Sequence, residues 1–308
     1  MINRVLIRLK VLQVVYAYYQ NGGRDVNAAE KELMFSLSKA YDLYHYLLLL
    51  IVAVTQYAAK RIEIARSKLS PTPEDLNPNM KFVDNRLAAQ IEANEQLRAW
   101  AGNGRRTWAD DEDFVRGLYE QIQQTDTYQD YMSSGESSFD QDRELWRRLY
   151  KTLVCANPGL DALLEDKSLY WNDDKDIVDT FVIKTIKRLD PALGAQQPLL
   201  PQFKDEDDRE FARRLLRRAL LEGDAYRSLI AGSIRNWDME RVAFMDIIIM
   251  QCALAEIMSF PNIPISVSLN EYVEMAKTYS TPKSGAFVNG TLDNVVKSLQ
   301  SQGKLLKK

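Results

Sequence analysis

Two groups of side chains in this 308-residue chain could do chemistry, and both suit the holding of a polyanion better than the breaking of a bond. The first lies at the amino terminus, where Arg4 and Arg8 stand one helical turn apart with Lys10 beside them. At that spacing the two guanidinia share a helix face, where they could neutralise neighbouring phosphates or simply meet solvent. The second is Lys283-Ser284-Gly285-Ala286-Phe287-Val288-Asn289-Gly290. Small residues flank a single aromatic there, so a backbone or a flat ring could approach closely. Phe287 could stack on an unpaired base or serve as core. Asn289 carries both donor and acceptor, and in a packed helix would cap neighbouring backbone. A further basic pair, Arg105-Arg106, stands between Trp100 and Trp108. It could grip a single strand by charge and stacking, or its aromatics could pack back on the core.

Catalytic constellations are not indicated. The lone histidine, His45, borders the most apolar stretch and reads as a packed residue. Cys/His clusters of metal-ligand spacing are missing, and neither GxxxxGK[ST] nor GxGxxG occurs, so no cofactor, metal or small-molecule substrate is expected. The acidic runs Asp110-Asp111-Glu112-Asp113 and Asp205-Glu206-Asp207-Asp208 each precede a helix, where the N-terminal dipole favours negative charge. A formal net charge of −3 means that any nucleic-acid site must be a local basic patch. Cys155 and Cys252 lie on apolar helix faces and read as reduced core thiols of a cytoplasmic protein. The amino terminus shows no cleavage site, and the apolar run 46–54 is too short to cross a bilayer, so neither secretion nor membrane insertion is expected.

The elements that must position these residues are all helical. Residues 2–20 carry Val5, Leu9, Leu12, Tyr16 and Tyr19 at helical period, as the core stripe of a first amphipathic helix that Asn21-Gly22-Gly23 ends. Helices are predicted over 27–69, 82–99, 113–132, 140–155, 158–169, 173–189, 206–221 and 223–236. Pro191, Gly194, Pro198 and Pro201 mark a linker between them. The span 239–259 is apolar nearly all round and belongs in the middle of a bundle. Pro261 and Pro264 stop it, Ser268-Leu269-Asn270-Glu271 has capping-box spacing for the next helix, and Thr281 with Pro282 reads as the start of the last. The expected architecture is an all-α helical bundle with a larger helical region at 1–200 and a second subdomain at 203–302. A repeat is also visible. Asp142-Arg143-Glu144-Leu145-Trp146-Arg147-Arg148-Leu149 matches Asp208-Arg209-Glu210-Phe211-Ala212-Arg213-Arg214-Leu215 at six of eight positions. The same offset of 66 pairs Trp171 with Trp237, which makes 140–189 a candidate degenerate copy of 206–255.

The carboxyl-terminal residues carry a resemblance. Trp237-x3-Arg241-x4-Asp246, Ala255-Glu256-Ile257, Ile263-Pro264, Asn270-Glu271-x2-Glu274-x-Ala276-Lys277 and Phe287-Val288-Asn289-Gly290-x-Leu292-Asp293 resemble the second half of the transcription antitermination factor NusB family. Arg4, Arg8, Gln13 and Tyr16 resemble its opening helix. The resemblance implies an all-α fold, binding of boxA-type RNA, a ribosomal protein partner (NusE), and an indirect link to the RNA polymerase elongation complex. It implies an RNA surface that joins Arg4, Arg8 and Lys10 to Lys283, Ser284, Phe287 and Asn289. Partner contact would fall on Glu240 and Asp246, although Asp246 could equally pair with Arg241 or Arg235. The chain departs from the family pattern at Val5 and Leu6, where basic residues are usual, and at Lys283, where an acidic one is common. Two other readings are a protein-interaction scaffold without RNA affinity and the accessory region of an RNA cytosine methyltransferase. The second would need an α/β cofactor domain, which the pattern does not contain.

Overall fold

The computed structural model describes residues 1–102, 107–234 and 242–305. As expected, the regular structure of the described residues is helical, with fifteen α-helices and one isolated bridge between Ile2 and Phe203. The chain divides into two compact units. One is contiguous, 39–202 with Met1, and the other is split, combining 2–38 with the chain from Phe203 onward.

The split unit carries α1 (Arg4–Gln20), residues 26–38 of α2 (Val26–Arg66), α11 (Glu206–Leu221), α12 (Gly223–Ser233), α13 (Phe244–Ser259), α14 (Ile265–Tyr279) and α15 (Ser284–Ser301). The apolar helix is central: α13 packs against α1, α11, α12, α14 and α15. Every side chain from Ile248 to Ile257 is buried. Each large aliphatic one there contributes about 1.5–3 kcal/mol of burial. Pro264 stands at the N-cap of α14, so that helix begins one turn earlier than the capping-box spacing suggested. Ser268 lies inside it, buried, with its hydroxyl on Glu256 at 2.7 Å rather than on its own backbone. The last helix begins at Ser284, not Pro282, because Thr281–Ser284 forms a turn in which the Ser284 hydroxyl accepts the Thr281 N–H at 3.1 Å.

The first helix departs furthest from its predicted pattern. It packs on both α11 and α13, so Leu6 to Leu12 are buried on every side, Arg8 and Lys10 included. A helix covered on two faces has no continuous polar side, whatever its apolar stripe suggests.

The contiguous unit holds residues 39–66 of α2, then α3 (Pro73–Leu76), α4 (Arg86–Ala93), α5 (Glu95–Ala101), α6 (Glu112–Gln123), α7 (Asp126–Ser133), α8 (Phe139–Leu149), α9 (Pro158–Lys167) and α10 (Lys175–Arg188). Two predicted helices are each broken by an internal cap. Asn94 accepts the Leu97 N–H at 3.0 Å to start α5, and Thr125 accepts the Tyr128 N–H at 3.2 Å to start α7. The proline-marked linker packs into this unit: Gln90 donates to the carbonyls of Asp190 and Gly194, and Asn94 to that of Gln197. Shifted by 66, the bounds of α8, α9 and α10 fall on 205–215, 224–233 and 241–254, over α11, α12 and α13.

Candidate nucleic-acid interface

Arg8 is held inside the split unit. Its Nε donates to Glu256 Oε2 at 2.7 Å and its Nη2 to Oε1 at 2.9 Å, a bidentate pair in which Arg8 is 3% exposed and Glu256 0%. The Tyr272 hydroxyl reaches the same carboxylate at 3.3 Å, and Glu271 lies 3.5 Å from the guanidinium. Burial alone would lower the Arg8 pKa, but Glu256, Tyr272 and Glu271 reverse this and leave it raised. Arg8 is therefore not a free phosphate ligand, and the expectation that it faces RNA is corrected. Lys10 is likewise interior, at 2% exposure. Arg4, one turn earlier, is the exposed member of the set, paired with Asp208 at 3.2 Å and 4.9 Å above the Phe211 ring.

At the last helix, Ser284 is also buried. Its hydroxyl donates to Asp246 Oδ2 at 2.8 Å and lies 2.8 Å from Thr281 Oγ1, which ties α15 to the first turn of α13. Ser284 is a joint rather than an RNA contact, and Asp246, 4% exposed, is the other half of that joint rather than an open partner surface. Glu240, Arg235, Arg241 and Trp237 lie outside the described residues. Lys283 and Asn289 are exposed and Phe287 is half-buried. Gly285 does meet a close neighbour: a Cβ there would stand 2.7 Å from Lys277 Cγ, so the lysine stem of α14 occupies the space. Nothing lies within 4 Å of such a Cβ at Gly290.

These residues sit at opposite ends of α13. Ser284 is level with Asp246, whereas Arg8 is level with Glu256, ten residues and about 15 Å further along the axis. Arg4 lies a turn beyond Arg8, so it stands roughly 20 Å from the start of α15. One continuous ledge joining the amino-terminal arginines to Phe287 is not what the fold builds. At the Phe287 end the structure gathers rings that sequence periodicity assigned to the core. Tyr16 packs 5.6 Å and Tyr19 6.5 Å from Phe244, and Arg227 lies 4.5 Å over Tyr19. All three rings keep some exposure, since the helix ends leave them uncovered.

In the contiguous unit the tryptophans turn inward. Trp108 stacks on Tyr46 at 4.3 Å and donates to its carbonyl, while Trp100 stacks on His45 at 5.1 Å and donates to Asp42. Of the two readings of that segment, the packed one describes its aromatics, and Arg105 and Arg106 lie outside the described residues. Asp205 caps α11 by accepting the Asp208 N–H at 3.1 Å. Among the described residues no helix is long and apolar enough to cross a membrane.

A single apolar helix enclosed by five others, with cations and half-covered rings at its two ends, defines the split unit as an all-α helical bundle. The family model described as the NusB family matches residues 180–297. Transcription antitermination protein NusB of Salinibacter ruber is 37% identical over 108 residues, covering 35% of this chain and 68% of that protein. The protein of the same name from Geobacter sulfurreducens is 35% identical over 120 residues, 37% of this chain and 87% of its own length. The Symbiobacterium thermophilum protein is 41% identical over 100 residues, 32% of this chain and 65% of its own length. No solved structure gives a significant match. The chain belongs to the NusB family, as a member much longer than these relatives.

Proposed function

We propose that this protein is a non-enzymatic transcription antitermination factor that binds boxA-type single-stranded RNA together with the ribosomal protein NusE. Its link to the RNA polymerase elongation complex is indirect, and its place of action is the cytoplasm. The reading rests on the family match over 180–297 and on relatives named for transcription antitermination that the chain covers over most of their length. One observation carries it to RNA. Phe287 is held half-open at the start of α15 beside exposed Lys283, at the same end of α13 as Tyr16, Tyr19 and Phe244. Rings of that kind offer stacking worth about 1–3 kcal/mol per base, and lysine supplies charge to the adjoining phosphate. Arg4 serves as a second, separate foothold for the same extended strand.

The test is a salt titration with boxA-type RNA, with and without NusE. Each phosphate contact to a single strand contributes about −0.7 to the slope of log affinity on log salt. Phe287→Ala is expected to weaken binding roughly tenfold or more without altering the slope. Lys283→Ala is expected to flatten the slope by about 0.7. NusE binding without measurable RNA affinity, in the wild type, would instead favour the scaffold reading.

A further inference from the structure

The longest run of cations on the split unit is on neither α1 nor α15. It is on α11, where Phe211, Ala212, Leu215, Leu216, Ala219 and Leu220 face the core. The complementary positions 213, 214, 217 and 218 are all arginine, two per turn. Together with Glu30, Glu210 and Leu221 they line an open cleft of about 530 Å³. Arg213, Arg217 and Arg218 keep 41%, 43% and 47% of their side-chain surface.

Their partners are informative. Glu30 of α2 bridges two guanidinia a turn apart, 3.4 Å from Arg213 Nε and 2.6 Å from Arg217 Nε. Asn27 accepts from Arg217 at 2.6 Å, and Arg218 pairs with Glu222. Arg214 makes no ion pair among the described residues, and its guanidinium lies 5.0 Å over the Phe260 ring. Phe260 packs 4.8 Å from Phe211, the ring beneath Arg4.

The stripe, about 7.5 Å long, also lies within the interval that separates the two footholds. Phe211 is level with Phe260 at one end of α13, and the Ala219 carbonyl accepts from Gln251 nearer the other end. Beyond α11, Arg227 covers Tyr19 at the aromatic end. Two pairs of planar guanidinia a turn apart, with the half-exposed rings of Phe260 and Tyr19 beyond them, match an extended strand of alternating phosphates and bases better than a run of carboxylates, which has no rings to stack.

We propose that the arginine face of α11 is a binding site for the phosphodiester backbone of single-stranded RNA, and that Glu30 is a resident counter-charge occupying the place of one phosphate. This rests on the RNA-binding reading above and extends it to a surface that reading does not use. Removing the Glu30 charge frees two guanidinia without removing a cation, so it must strengthen binding. A residue that merely braces the fold could not do that.

The test uses the full chain with a boxA-type RNA oligonucleotide and a scrambled strand of equal length. Arg214→Gln with Arg218→Gln is expected to flatten the salt slope by about 1.4, from two phosphate contacts, and equally for both strands. Glu30→Gln is expected to bind both strands several-fold more tightly and with a steeper slope, a gain that misfolding cannot imitate. An unchanged slope in the double variant, or no gain in Glu30→Gln, while the wild type still binds boxA RNA, overturns this inference and leaves the proposed function standing. Polyglutamate binding that is lost in the double variant while RNA binding is untouched would assign the face to acidic protein segments and overturn it likewise. A wild type that binds neither strand removes both readings.

Discussion

Replacing Arg8 by alanine distinguishes a buried brace from an RNA ligand. The substitution leaves the Glu256 carboxylate, fully buried, with only the Ser268 hydroxyl at 2.7 Å and the Tyr272 hydroxyl at 3.3 Å as donors. Breaking a buried, hydrogen-bonded ion pair from one side costs about 3–5 kcal/mol, because the remaining charge is stranded away from water. That is a large part of the roughly 5–15 kcal/mol that holds a domain folded. At a urea dependence of about 2 kcal/mol per molar, the unfolding midpoint of the split unit should fall by roughly 1.5–2.5 M. Hydrogen exchange of peptides from 244–259 reports on this unit, whereas Trp100, Trp108, Trp146 and Trp171 belong to the other one. Arg4→Ala is the control. Arg4 is 43% exposed in its pair with Asp208, and such pairs contribute about 0–1 kcal/mol, so its midpoint should hardly move while RNA binding weakens. Replacing both partners, Arg8→Met with Glu256→Leu, should recover most of the loss, because no charge is then left buried. An Arg8→Ala midpoint within about 0.5 M of wild type would refute the buried-pair reasoning and return Arg8 to the surface.

Two further outcomes concern titration. Burial pushes the Cys155 thiol up to about 11, with Asp179 adding to the effect and Lys175 opposing it, and burial raises Cys252 further still. Native protein at pH 8 should therefore react slowly with a thiol reagent at both positions and rapidly in urea, and fast alkylation of Cys155 would reopen a nucleophilic role. Hydrogen bonds from Arg147, and to a lesser degree Arg148, hold Glu144 at about 2, against an opposing contribution from desolvation. Its folded pKa lies below its unfolded one, so its contribution is complete above about pH 4.5 and disappears as the pH falls towards 2. Glu144→Gln should flatten the acid limb of the stability profile of the contiguous unit over that window. An acid limb unchanged by the substitution would show that the Arg147 pair does not persist in solution.

Local pattern made much of this protein legible. The absence of alternation and the wealth of 3.6-residue periodicity identify an all-α chain, and an apolar circumference on 244–259 places that helix at the centre, where α1, α11, α12, α14 and α15 cover it. Motif spacing from Ala255 to Asp293 identified the family without any coordinates. Periodicity failed where a helix is covered on more than one side. Arg8 and Lys10 look solvated in a one-faced helix, but α1 lies between α11 and α13, and Glu256, distant by 248 residues, supplies the partner that makes a buried arginine tolerable. Ser268 looks like a cap by spacing and Ser284 like an RNA contact by resemblance, and both are instead hydrogen-bonded to carboxylates of another helix.

The sequence by itself determined the helices, the central position of α13 and the family. Each of these follows from neighbours a few residues apart or from a linear motif. Which charges face solvent was decided only by tertiary structure, because burial of a charge depends on a partner brought from elsewhere in the chain. The same is true of the separation of Arg4 from Phe287 along α13, and of the meeting of Glu30 with Arg213 and Arg217. Those distances arise from the antiparallel packing of helices that are far apart in sequence, and no local spacing encodes them.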